Sequence, residues 1–158
     1  MKKTSFRKKT YEEIIESKKK AQAKQRVKPK VKKKKPKTLT WYKKKLDAQF
    51  SKFIRYRDKG QCFTCPMKEH PKKMQNGHFA PRQYLSLRYD EKNCNCQCYA
   101  CNMLYGGQPS KYAVELERKY GRGIVEELEG RRKEITKLDI AWYVEKIEYY
   151  KNITKEYG

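Results

Sequence analysis

Apolar residues recur at helical spacing after residue 40, where a strongly polar stretch ends. The i, i+4, i+7, i+8 positions of one helix face are occupied by Leu46, Phe50, Phe53 and Ile54. Thr40 can cap such a helix and Gly60 can end it. The pattern therefore predicts a helix over about residues 41–58 that enters the core.

The last third of the chain carries further helix signals. Pro109–Ser110 is predicted to begin a helix that ends near Gly121, and Ile124–Glu129 to form a second, shorter helix. Thr136 and Asp139 together give a capping signal for a long last helix. The apolar residues of that helix are spread more widely than one stripe requires, so it can pack on the core, on a second subunit, or on both.

Residues 61–105 have no helical period before Cys98. The segment is rich in Cys, Asn and Gly and contains two short β-prone pieces, GHFA at 77–80 and YLSLRY at 84–89. This mixture predicts metal knuckles and a β-hairpin. No internal repeat is apparent.

The N-terminal stretch is basic and nearly free of apolar side chains. Residues 1–45 contain 20 basic and 3 acidic residues, whereas residues 46–158 contain 21 and 15. Residues 18–37 cannot bury enough surface to offset the entropy of ordering, so we expect a largely disordered basic arm over residues 1–39. A short helix over Tyr11–Lys24, capped by Thr10, is predicted to form mainly on binding a partner.

Composition limits the class of protein. The 158 residues have a formal net charge of +23 and are 37% hydrophobic, enough for one core in the part after the arm but not for a second domain. No apolar run approaches the roughly 18 residues of a membrane span, and no signal peptide is visible. We expect a soluble cytoplasmic protein whose excess charge binds nucleic acid rather than a membrane.

Six cysteines provide the strongest local motif. Cys62 and Cys65 form one Cys-x2-Cys pair, and Cys98 and Cys101 form another. Two such pairs complete a tetrahedral shell with thiolate–zinc distances of about 2.3 Å and no open position. The spacing predicts a structural Zn²⁺, so any chemistry must come from other residues.

Cys94 and Cys96 lie outside this count. With Cys98 they alternate like residues on one face of a strand. They are interpreted as small buried hydrophobic residues. The alternative is that Cys96 replaces one of the knuckle ligands.

Besides the two cysteine pairs, the chain carries an ordered series of further residues: Gly77, His78, Phe79, Arg88, Tyr89, Asp90, Asn93, Gln97, Asn102, Tyr112, Tyr120 and Gly121. Over about residues 46–121 this order resembles that of the NinG (Rap) recombination endonucleases of lambdoid phages. That family is similar in turn to the His-Me finger nucleases, including HNH enzymes and phage endonuclease VII.

The resemblance implies an α+β fold: a zinc-bound treble-clef ββα-metal finger flanked by helices. It divides the chain into the arm (1–39), a nuclease domain (40–121) and C-terminal helices for packing or dimerisation (122–158). It also implies that His78 is the general base and Asn102 a ligand of a catalytic Mg²⁺, with Mn²⁺ as a substitute. Imidazole suits proton abstraction near neutral pH, and an amide oxygen suits Mg²⁺.

One position departs from the His-Me pattern. Many of these enzymes have an Asp before the histidine as a second metal ligand, and this chain has Gly77. Asp90, Asn76 or Asn93 can be considered for that role. Asn93 is interpreted instead as a residue that braces the hairpin of the catalytic site, as the middle Asn of HNH motifs does. His70, in a lysine-rich loop, is expected to have no catalytic role.

The expected function is therefore Mg²⁺-dependent cleavage of Holliday junctions or other branched DNA in phage recombination, in the host cytoplasm. The basic arm should bind phosphates, and five residues near the motifs are candidates to line the DNA groove: Lys72, Lys73, Arg82, Arg88 and Lys111. A homodimer would place two sites on two strands, and phage recombination proteins are further candidate partners. The alternatives are a non-catalytic zinc-knuckle DNA-binding protein and an RNA-binding basic protein.

Overall fold

The computed structural model describes residues 9–25 and 36–157, and the chain divides into two units, residues 1–36 and 37–158. The first unit contains helix α1, Tyr11–Gln25. Thr10 Oγ1 accepts the N–H of Glu13, and the Glu13 carboxylate accepts the N–H of Thr10, so the predicted cap is confirmed as a capping box. The rest of the predicted disordered arm, residues 1–8 and 26–35, lies outside the described residues.

Helix α2, Leu39–Arg57, organises the second unit. The prediction that Thr40 caps it is wrong, because the extended backbone of Thr38 directs its Oγ1 to the N–H of Trp41. The helix ends at a turn in which Gly60 has a left-handed φ of 69° and donates its N–H to the carbonyl of Arg55. Its four predicted apolar positions are buried.

Helix α5, Ile140–Ile153, packs against α2. Its predicted cap is confirmed at Asp139, whose carboxylate accepts the N–H of Trp142. Aromatic rings fill the interface: the Tyr150 ring lies 4.9 Å from Phe50 and 5.1 Å from Phe53. The last helix therefore packs within its own chain, and a 3₁₀ turn at Thr154–Tyr157 follows it.

Two short antiparallel strands, β1 (Gln75–His78) and β2 (Cys94–Gln97), form the predicted hairpin and pair His78 with Cys94. The β-prone piece at 84–89 is not a strand. Consecutive turns bond its backbone within residues 81–90, and the buried Asn93 side chain accepts the N–H of Ala80 and donates to the carbonyls of Ala80 and Leu87. These bonds leave no ladder for a third strand.

A second cluster of buried residues covers the other side of the hairpin region. It joins the 81–90 loop to helices α3 (Pro109–Tyr120) and α4 (Ile124–Arg131) and contains Ala80, Leu87, Tyr112, Leu116, Ile124 and Leu128. Helix α3 is preceded by Gln108 in a left-handed conformation. The fold is thus α+β, with a small two-stranded sheet among helices. None of the helices in the described ranges is long and apolar enough to cross a membrane.

Candidate metal centre and adjoining cleft

The two cysteine pairs meet in one cluster. The Sγ atoms of Cys62, Cys65, Cys98 and Cys101 all lie within 4.8 Å of one another, and those of Cys65 and Cys98 are 3.8 Å apart. Four sulfurs at about 2.3 Å from one ion would be separated by about 3.8 Å. The residues therefore fit a metal such as zinc in the predicted arrangement.

Backbone N–H groups prepare the cluster for a cation. Cys98 donates its N–H to Cys62 Sγ at 3.3 Å, and Cys101 donates to Cys98 Sγ at 3.4 Å. Burial raises the pKa of the Cys62 thiol, but hydrogen bonds from the N–H groups of Cys98 and Thr64 outweigh it and bring the pKa to about 7. The pKa of Cys62 is thus below that of an ordinary thiol, whereas burial raises the pKa of Cys65 to about 12 and also raises that of Cys98.

Cys94 and Cys96 are fully buried on β2 and are not members of the four-thiol cluster. Burial raises the pKa of the Cys94 thiol well above its usual value, which keeps the side chain neutral. Their placement agrees with the interpretation as buried apolar residues and not with Cys96 as a ligand.

A cleft of about 590 Å³ lies beside the metal centre and brings His78 and Asn102 together. His78 stands at the end of β1, where its Nε2–H donates to the carbonyl of Arg88 at 3.3 Å. That bond leaves the lone pair on Nδ1. Burial lowers the pKa of His78 to about 4, from an ordinary value of 6.5, so the imidazole is neutral at physiological pH.

Asn102 follows directly after the ligand Cys101, on a single turn of π-helix, Ala100–Leu104. Its Nδ2 donates to Gln75 Oε1 at 2.6 Å, which orients the amide within the cleft. Gln75 was not singled out from the sequence, since nothing local to it indicates a partner 27 residues away.

Of the three residues considered as a second oxygen ligand, only Asn76 lines the cleft. Its Oδ1 is buried without a hydrogen-bond partner. Asp90 instead accepts the N–H groups of Lys92 and Asn93 and pairs with Arg131 at 2.7 Å. Asn93 is fully buried and bonded to backbone, so it braces the hairpin loop and touches nothing in the cleft.

Steric crowding explains why the position before His78 holds a glycine. A Cβ at Gly77 would lie 2.1 Å from Gln97 Oε1, and Gln97 is fully buried on β2. Gln97 donates from Nε2 to Thr64 Oγ1 and to the carbonyl of Gly107, which restrains its side chain. An aspartate at position 77 does not fit this packing.

Asp47, on α2, is a cleft residue that the sequence analysis missed. Its carboxylate accepts from Arg88 at 2.7 Å and 2.9 Å, from Tyr89 at 2.9 Å and from Arg82 at 3.1 Å. Burial alone would raise the pKa of Asp47, but the hydrogen bonds from Arg88 and Tyr89 lower it below its ordinary value. Its partners lie 35 to 42 residues away in the sequence, so no local signal marks it.

The five predicted DNA-binding residues are not in one place. Arg82 and Arg88 line the cleft, but the Arg88 side chain is only 12% exposed and is held by Asp47, whereas that of Arg82 is 61% exposed. Lys72 and Lys73 form the exposed 3₁₀ turn before β1. Lys111 lies on α3 and lines a different depression, beside Thr64.

Fold and site together define a small α+β protein that has a cluster of four thiols able to hold a metal, beside a histidine-containing cleft. The chain belongs to the bacteriophage lambda NinG protein family, whose model matches residues 1–157. No curated protein and no solved structure gives a significant match. Membership of this family suggests a role related to phage recombination.

Proposed function

We propose that this protein is a Mg²⁺-dependent endonuclease of the His-Me finger class that cuts branched DNA, such as a Holliday junction, during phage recombination. The observation that carries the proposal is the juxtaposition of His78 and Asn102 in one cleft beside the four-thiol cluster. The order from first knuckle through hairpin to second knuckle is the one expected for a treble-clef ββα-metal unit.

His78 is suited to accept a proton from water. The bond from Nε2 to the Arg88 carbonyl leaves Nδ1 as the basic atom; the low pKa keeps it unprotonated at neutral pH but also makes it a weaker base than an ordinary imidazole. The positive charges of Arg82 and Arg88 contribute to lowering that pKa. A DNA phosphate in the cleft would offset them and raise the basicity of the imidazole when substrate is bound.

Asn102 and Asn76 would hold the catalytic cation through their side-chain oxygens. Amide oxygens are hard neutral ligands, and Asn76 Oδ1 is otherwise an unsatisfied buried acceptor. When bound, Mg²⁺ supplies positive charge that stabilises the phosphate and the leaving oxygen. The residues required are therefore present although the usual aspartate is replaced by Gly77.

Positive charge surrounds the cleft. The basic residues that line it outnumber the single carboxylate, Asp47, and are Lys44, Arg55, Arg82 and Arg88. Arg82 is more accessible than Arg88 and can contact a phosphate. The basic arm would add affinity that falls steeply with salt, because each neutralised phosphate releases counterions.

A symmetric homodimer would present two clefts to the two strands of a junction. On α5, three side chains remain 42%, 48% and 47% exposed although the helix packs on its own chain: Ile140, Val144 and Tyr149. They are the residues we propose for a second subunit.

The proposal is tested by incubating zinc-loaded protein with labelled four-way junction, flap, duplex and RNA substrates, with Mg²⁺ or EDTA. His78→Ala should reduce cleavage by about 10²–10⁴-fold while zinc content, folding and DNA affinity stay near wild type. His70→Ala is the matched control, since His70 lies outside the cleft, and should cut normally. Cleavage of branched DNA by His78→Ala at the wild-type rate would refute the role of His78.

A non-catalytic DNA-binding protein is the second candidate. It is favoured by the absence of an unpaired carboxylate among the cleft residues of the described ranges, because Asp47 is fully engaged by two arginines and a tyrosine. Zinc-loaded wild-type protein that binds junctions but cuts no DNA with Mg²⁺ or Mn²⁺ would establish this second function.

A further inference from the structure

Four large side chains between residues 99 and 105, around the second cysteine pair, are unusually exposed. Tyr99, Met103, Leu104 and Tyr105 are 56%, 59%, 64% and 62% exposed. They lie within a stretch, residues 93–110, that has no charged residue in a chain of net charge +23. The surface they form is therefore apolar and free of carboxylates.

The backbone accounts for three of these side chains, those of Tyr99, Met103 and Leu104, lying on one side of a turn. In the π turn Ala100–Leu104 the N–H of Tyr105 donates to the carbonyl of Ala100, five residues earlier, at 2.9 Å. In such a turn residues four and five apart stand above one another, so Tyr99 lies next to Met103 and Leu104. Cys101 points inward to the thiol cluster and is 3% exposed. The turn thus directs Cys101 to the thiol cluster and leaves these larger side chains on the outside.

This apolar surface, the platform, is continuous with the cleft. Met103 lines the cleft together with His78 and Asn102, and the other platform residues are its neighbours in the turn. The basic side chains of the cleft would bring a nucleic-acid backbone to this edge. A base displaced from its stack near the cut site would meet the exposed rings of Tyr99 and Tyr105.

We propose that Tyr99, Met103, Leu104 and Tyr105 form a stacking platform for unstacked bases at the branch point of DNA, and that this contact distinguishes branched from duplex substrates. The inference rests on the proposed function, since branched DNA is taken as the substrate. Within a duplex the faces of the bases are covered by their neighbours, whereas a branch point exposes them. Aromatic rings and apolar side chains recognise such faces without sequence preference.

Two double variants distinguish base stacking from other roles of these tyrosines. Tyr99→Ala/Tyr105→Ala removes both rings, and Tyr99→Phe/Tyr105→Phe keeps them. Tyr157→Ala, in the C-terminal 3₁₀ turn, is the control for loss of an exposed tyrosine elsewhere, since Tyr157 is 43% exposed. Full-length zinc-loaded proteins are compared for zinc content, for affinity without added Mg²⁺ toward a four-way junction and a duplex of equal length, and for cleavage of both with Mg²⁺. A junction carrying 2-aminopurine at the branch point reports stacking through quenching.

We expect the double alanine variant to bind the junction about 10-fold to 100-fold more weakly, because each stacked base contributes roughly 5-fold or more, while duplex affinity changes less than about 3-fold. The double phenylalanine variant and Tyr157→Ala should retain the junction preference and the quenching. Unchanged preference in the double alanine variant would overturn the inference, as would equal losses on both DNAs or self-association that disappears with the tyrosines.

This experiment distinguishes the inference from the proposed function. Wild-type cleavage of junctions combined with undiminished selectivity in the double alanine variant rejects the platform alone. Selective junction binding with quenching, but no cleavage by wild type, supports the platform and rejects the nuclease.

Discussion

Gly77→Ala should destabilise the protein because of space, not backbone conformation. Gly77 does not have a positive φ, so alanine can adopt its backbone. The added Cβ would lie 2.1 Å, 2.7 Å and 2.9 Å from Oε1, Cδ and Cγ of Gln97. The Gln97 side chain is fully buried and bonded to Thr64 and Gly107, so it cannot move aside without losing those bonds.

The magnitude follows from two contributions. Overpacking a buried site costs about 1–3 kcal/mol, and displacement of Gln97 would forfeit two hydrogen bonds of about 1 kcal/mol each. We expect a loss of about 3–5 kcal/mol in the free energy of unfolding. At a urea m-value of about 2 kcal/mol/M this lowers the unfolding midpoint by roughly 1.5–2.5 M. The measurement is urea denaturation in reducing buffer at fixed free zinc, since a bound metal adds to stability.

Two further variants make the argument refutable. Gly130→Ala is the control, because an added Cβ on α4 meets no atom within 4 Å and should stabilise the helix by about 0.5–1 kcal/mol. In a Gln97→Ala background the cost of Gly77→Ala should largely disappear. A Gly77→Ala protein within about 0.5 kcal/mol of wild type, or an equal cost in both backgrounds, would refute the reasoning.

Three other predictions follow from the site. Purified protein should contain one zinc per chain, as measured by mass spectrometry. Cys98→Ser should lose the zinc and give the circular dichroism spectrum of an unfolded chain, because a metal-binding free energy on the order of 10 kcal/mol is coupled to folding. Cys94→Ser should keep the zinc. Because burial lowers the pKa of His78 to about 4, the unfolded chain binds a proton between pH 6.5 and pH 4 that the folded chain does not. The free energy of unfolding should therefore decrease as the pH is lowered through this range, by up to about 1.4 kcal/mol per pH unit. In pH-dependent denaturation, His78→Gln should flatten that decrease. Asp47→Ala should lower the free energy of unfolding by about 3 kcal/mol, because it leaves Arg88 buried and unpaired, whereas Arg82→Ala should lower it by less than about 1 kcal/mol. Urea denaturation measures both values, and equal effects would contradict the difference in burial between the two arginines.

Local rules predicted much of the fold. Apolar spacing located α2 and the last helix, and the two Cys-x2-Cys pairs located the thiol cluster, because both signals are contained in a few neighbouring residues. The capping error at α2 shows the limit. Thr38 and Thr40 both satisfy the local rule, and only the extended backbone of Thr38 decides between them.

Features that depend on distant partners could not be read from the sequence. The 84–89 piece has the composition of a strand but no neighbouring strand to pair with. The side chain of Asn93 donates to the carbonyl of Leu87, where a partner strand would otherwise donate. Asp47 depends on arginines far along the chain, so Arg88 was assigned to DNA although the structure pairs it within the protein. His78 and Asn102 were selected through the family resemblance, and the structure adds their common cleft, whose catalytic use stays a prediction.

The spacing of the two cysteine pairs has a consequence for the time course of synthesis. Residues 66–97 form the loop that a metal at the four thiols would close, and this loop contains His78 and two of the three cleft arginines, Arg82 and Arg88. On a ribosome the first pair emerges well before the second. The thiol cluster, and with it the placement of Asn102, can be completed only after Cys101 has left the exit tunnel. The emerging chain therefore passes through a period in which His78 has left the tunnel but has no assembled cleft around it, and a metal that binds the four thiols would make the length of that period depend on its supply.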